Sequence, residues 1–176
     1  MNARQMLGTN LSATDPAVSM MATQADPLRL ARIFVPIDFS EESRHAIRYA
    51  TRMAAQFGAS IHLAYVLDSL IDLKEAQLVP LEADLSEATV VLKRKLAAVA
   101  NDQIGESIPV YSHVGVGDPA KEIISLAHAF FTDLIIISTH GRKGLPRTLL
   151  GSVTETVVRH AECPVLVVRA QEHDFA

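Results

Sequence analysis

The chain has 176 residues, of which 49% are apolar and only 5% aromatic, with no Trp, so one domain with an aliphatic core is expected. A net charge of −4 argues against a general nucleic-acid binder and provides no polybasic patch for a membrane surface. Cys163 is the only cysteine, which excludes an intrachain disulfide, and no apolar run approaches the length of a membrane span. No continuous apolar stretch follows Arg4, so no secretory signal is expected and a soluble cytoplasmic domain is the default.

Residues 1–30 show no period and are rich in Ser, Thr, Asn, Gln and Met, which reads as a mobile extension. Ile33 to Asp38 is the first strand, where Pro36 is tolerable only if pairing is already ending. Ser40 caps a helix with Glu41 and Glu42 in its first turn. Ile47, Ala50, Met53, Ala54 and Phe57 recur at helical spacing, and Gly58 stops that helix. A second strand runs from Ser60 to about Val66, and Asp68 to Pro80 is irregular or partly helical. Leu85, Ala88, Leu92, Leu96 and Val99 form the apolar stripe of a second helix. A third strand spans Pro109 to Val114. Asp118-Pro119 opens a third helix as N-cap and first residue, with Ile123, Ile124, Ala127 and Phe130 on its buried face. Leu134–Ile137 and Val165–Val168 are short, continuous and rich in β-branched residues, as strands buried on both faces of a parallel sheet should be. Strand and helix alternate throughout, which implies an α/β fold: a single doubly wound domain over residues 31–170, with a five-stranded parallel sheet and helices on both faces. Residues 171–176 form a short tail.

The eleven residues from His140 to Leu150 make a long strand-to-helix link carrying Gly141, Gly144 and Pro146 beside Arg142, Lys143 and Arg147. The link ends at Gly151-Ser152, where a helix begins and its free N–H groups and positive dipole end face whatever the loop encloses. Those are the parts of an anion site, with phosphate the expected occupant. Ser152-Val153-Thr154-Glu155 also has the form of a capping box, with Ser152 as the cap. Other motifs carry less. Gly115-Val116-Gly117-Asp118-Pro119-Ala120 fits G-x-G-x-x-A, but no acidic residue closes the next strand. Neither a Walker A sequence nor a G-x-S-x-G elbow occurs. The histidines at 45, 62, 113, 128, 140, 160 and 173 have no close metal-ligand spacing. Cys163, ahead of Pro164 and a buried strand, reads as a packed side chain.

From about Arg32 to Arg169 the chain resembles the universal stress proteins. Nucleotide-binding members carry Gly-x2-Gly-x9-Gly-(Ser/Thr), matched here at Gly141, Gly151 and Ser152 with nine residues between the glycines and with Ser138 in place of the first. The resemblance implies an adenine-nucleotide alpha-hydrolase-like fold with strand order 3-2-1-4-5 and a ligand between strands 1 and 4, where such sheets reverse direction. It assigns ATP or AMP to that crevice. Gly141, Gly151, Ser152, Val153 and Thr154 would contact the phosphates, with Arg142 beside them and Mg²⁺ able to bridge them. Asp38 would face the ribose, since a carboxylate accepts what sugar hydroxyls donate. Pro36, Val66 and Ile137 would line the base. Ser138 would be strained if a positive φ were required there, and accommodated if only backbone beside the sugar is needed. The resemblance further implies a homodimer through the last strand, Val165–Val168, whose apolar edge would invite pairing. Two alternatives are a slow ATPase, for which no positioned general base stands out, and a nucleotide-free dimeric interaction protein of the same fold.

Overall fold

The computed structural model describes residues 28–69, 74, 77–81, 83–139 and 150–169. Five strands, β1 (Arg32–Pro36), β2 (Ser60–Leu67), β3 (Val110–Val116), β4 (Leu134–Ser138) and β5 (Val165–Val168), pair in parallel in the order β3-β2-β1-β4-β5. Helices α1 (Glu41–Phe57), α2 (Leu85–Gln103), α3 (Pro119–Ala129) and α4 (Ser152–His160) alternate with them. The doubly wound fold and the strand order are therefore those expected. The expected extension before residue 28, Gly141 and Arg142, and the expected tail lie outside the described residues.

The sheet divides two aliphatic layers, because successive side chains on a strand point to opposite faces. Ile33, Val35, Ile61, Leu63 and Tyr65 pack with Ile47 and Ala50 of α1 and Leu92 and Leu96 of α2. Phe34, Ala64, Ile135 and Ile137 pack with Ile123 and Ala127 of α3 and Val157 of α4. Phe34, Ile47, Leu92 and Ile135 are all 0% exposed, and burying one such side chain contributes roughly 1.5–3 kcal/mol. Two residues of the expected stripes fall outside this core. Phe57 is 40% and Leu85 47% exposed; they are the last residue of α1 and the first of α2.

Local chemistry sets most boundaries as the sequence implied. Ser40 accepts from the Ser43 N–H at 3.2 Å, and Asp118 from that of Lys121 at 3.0 Å. Gly58 closes α1 at φ 69, the left-handed conformation that costs glycine nothing. A capping box that periodicity did not reveal opens α2, where Asp84 accepts from the Glu87 N–H at 2.9 Å and Glu87 reaches back to the Asp84 N–H at 3.3 Å. β1 stops at Pro36, not Asp38, while β3 runs on through Gly115 and Val116. A Cβ on Gly115 would lie 3.1 Å from the Glu122 carboxylate, so the G-x-G-x-x-A run serves strand-to-helix packing. At the opposite end of the sheet Asp133 Oδ2 accepts from the backbone N–H groups of Ala31 (2.9 Å) and Arg32 (2.8 Å), tying the turn before β4 to the start of β1.

Candidate functional site

The crevice begins with a proline. The N–H of Ile37 donates to the Ala64 carbonyl on β2 at 2.8 Å. Amides alternate sides along a strand, so position 36 faces β4, and there proline has no proton to give. β1 accordingly pairs with β2 through Pro36 but with β4 only at Ile33–Leu134 and Phe34–Ile135. The sheet parts at its C-terminal edge between the two strands where its order reverses. Pro36 follows Phe34 on the face that α3 and α4 cover, the face to which Ile137, Val66 and Val153 also belong. Four residues expected at the ligand thus share one apolar surface beside the parting.

The second wall is the start of α4. Gly151 is its N-cap, extended at φ −62 and ψ 145, with its N–H donating to the Thr139 carbonyl at 2.9 Å and its C=O accepting from Glu155 at 2.8 Å. This corrects the expected capping box: Ser152 is already helical, and the cap residue is Gly151, which has no side chain to bond the first amides. The first intrahelical bond goes to Glu155, so the amides of Ser152, Val153 and Thr154 have no partner within the helix and carry the positive end of its dipole. Thr154 is buried, and its hydroxyl donates to the Ser138 carbonyl at 2.8 Å, locking α4 to the tip of β4. Its side chain is thereby engaged with protein, leaving the backbone as what it offers an anion. Glu155 is turned along the helix to Arg159 Nη2 at 2.8 Å, which draws its charge away from the amides.

Ser138 lies within β4, in register with Val168 and 7% exposed. Among the described residues positive φ outside glycine occurs at Phe39, Gln77 and Phe131, so serine is unstrained at this position.

Asp38 lies two residues past the end of β1, and its Oδ1 accepts from the backbone N–H of Ser40 at 3.1 Å and from the Ser40 hydroxyl. Between them Phe39 has φ 65, a region that costs a bulky residue of order 1–3 kcal/mol. Its ring stacks on Tyr65, with centroids 5.2 Å apart and planes at 21°, and Tyr65 is 1% exposed. Nothing in the order Asp-Phe-Ser announces a left-handed backbone, so the sequence offered no signal for it.

One titratable pair lies apart from the crevice. His62 on β2 and His113 on β3 approach to 3.0 Å, Nδ1 to Nε2, and Phe130 stacks 4.1 Å from His113. Burial, then the charge of His113 and then Arg32, lowers the His62 pKa to about 4. Burial, followed by Lys93, also lowers that of His113. The pair is formed by neighbouring strands and became visible only once their register was known. Burial pushes the Cys163 thiol upward, as a packed side chain requires. Among the described residues no group of three or more His, Cys, Asp or Glu could hold a metal ion, and no helix is long and apolar enough to cross a membrane.

Residues 30–169 match the Universal stress protein family. The universal stress protein MJ0531 of Methanocaldococcus jannaschii is 32% identical over 145 residues, covering 78% of this chain and 81% of its own. The solved structure of MJ0577, a universal stress protein of the same organism, superposes with a TM-score of 0.68 at 28% identity, covering 83% of this chain and all (100%) of the other. An Archaeoglobus fulgidus universal stress protein solved in complex with dAMP shares the fold at a TM-score of 0.54 and 20% identity, over 80% of this chain and 98% of that one.

Proposed function

The chain belongs to the universal stress protein family, and on that premise we propose that it binds an adenine nucleotide, ATP or AMP, between β1 and β4 in a stress-response or signalling role. One observation carries the proposal: the tip of β1 with Asp38 beyond it, the parting at Pro36 and the amides of Ser152, Val153 and Thr154 at the start of α4 converge at the reversal of strand order. In this reading the amides and the loop residues Gly141 and Arg142 take the phosphates, Asp38 and Ser138 lie at the sugar, and Pro36, Val66 and Ile137 border the base. Support for adenine comes from family members of the same fold solved with cAMP and with dAMP. A magnesium ion would draw its ligands from the phosphates themselves. Among the described residues none is positioned as a general base here, so binding without rapid hydrolysis is expected.

Calorimetric titration of the purified protein with ATP and AMP tests the proposal. Saturable binding is expected, and Gly151→Asp, which sets a carboxylate at the helix start, should lower affinity at least about tenfold. Absence of binding by both nucleotides would reject it, and rapid phosphate release would favour the ATPase alternative. Ser138, whose departure from the glycine pattern would favour the nucleotide-free alternative, sits in β4 without strain. We also assign a homodimer contact to β5, an edge strand whose Val165, Leu166 and Val167 are only partly buried. Sedimentation should give a dimer, and Val167→Lys a monomer.

A further inference from the structure

We propose that Phe39 is a positioning residue for sugar recognition, its ring acting as a clamp that holds the Asp38 carboxylate in its binding orientation. The inference rests on the nucleotide reading above and adds a residue that touches no part of the ligand. Three observations meet at this turn. Phe39 is a bulky side chain in a left-handed backbone conformation that glycine would adopt freely. Its ring is stacked on Tyr65, which lies wholly within the layer under α1 and α2. The carboxylate on one side of it and the helix cap on the other are tied together, Asp38 Oδ1 taking both donors of Ser40.

A turn built only to reverse the chain would be easier with glycine, so a phenylalanine in this conformation implies that the ring contributes something else. Anchoring residue 39 in the core fixes the residues on both sides of it. Ser40 is fixed a second time as the cap of α1. Asp38 is therefore held between a ring and a helix cap, and sugar hydroxyls meet a carboxylate that has little freedom left to lose on binding.

The test compares ATP with 2′,3′-dideoxy-ATP, which lacks both sugar hydroxyls, on the full chain. Wild-type protein should prefer ATP by about tenfold, and Asp38→Ala should bring the ratio near one. Phe39→Gly relieves the backbone and removes the ring. It is expected to bring the ratio within about threefold of that of Asp38→Ala, with the thermal midpoint kept within a few degrees. Phe39→Leu, which keeps apolar packing but not the flat ring, covers the case in which the glycine variant unfolds, and the same loss is expected. Retention of the wild-type ratio by either folded variant would overturn the clamp. Wild-type protein that binds both nucleotides equally would overturn it while leaving nucleotide binding intact. Wild-type protein that binds neither would overturn both.

Discussion

His62 carries a measurable consequence of its own. Its pKa is about 4 in the folded protein, against roughly 6.5 in an unfolded chain. Above pH 6.5 it is neutral in both states. Between pH 6.5 and 4 the unfolded chain takes up a proton that the folded protein refuses, so stability must fall across that interval. The downward shift of His113 adds to the slope. Urea unfolding at pH 7.5, 5.5 and 4.5 should show the decline, and His62→Leu should flatten it. An unchanged slope in the variant would mean that the pair does not control acid sensitivity. Single residues were also where sequence patterns said least. Asp38, Gly151 and Thr154 could be singled out from motif and position. The left-handed Phe39, the imidazole pair and the hydroxyl bond of Thr154 to Ser138 depend on which strands adjoin and in what register, and no local pattern encodes that.

At the scale of elements, order and type were legible because β4 and β5 are short β-branched runs and α1, α2 and α3 each carry an apolar stripe. Boundaries were less so. β3 outruns its expected end because Gly115 admits the Glu122 side chain, and β1 falls short because Pro36 ends it. The start of α4 shifted by one residue, since an extended Gly151 bonded to Thr139 displaces serine from the cap. What joins elements can be tested directly. Asp133→Ala removes the acceptor for two backbone amides at the foot of β1 and should cost about 1–3 kcal/mol in denaturant unfolding. Because that foot lies at the end of the sheet remote from Asp38, nucleotide affinity should be unchanged. A joint loss of stability and affinity would show that the two ends are coupled.

Across the whole molecule, the topology could be inferred from alternation and family resemblance, and the position of the crevice from strand order. Its physical origin could not, because Pro36 reads from sequence as a nuisance to be excused. In the sheet its missing N–H faces β4 at the point where pairing stops. Pro36→Ala would supply that proton, and two adjacent parallel strands would be free to zip one rung further. The expected outcome is a new amide at residue 36 that is protected from hydrogen exchange, together with weaker ATP binding; rapid exchange of that amide with undiminished affinity would refute it. A mutagenesis campaign that rewarded thermal resilience alone would therefore be drawn toward sealing this seam, and proteins selected in that way should grow sturdier as they go blind to nucleotide.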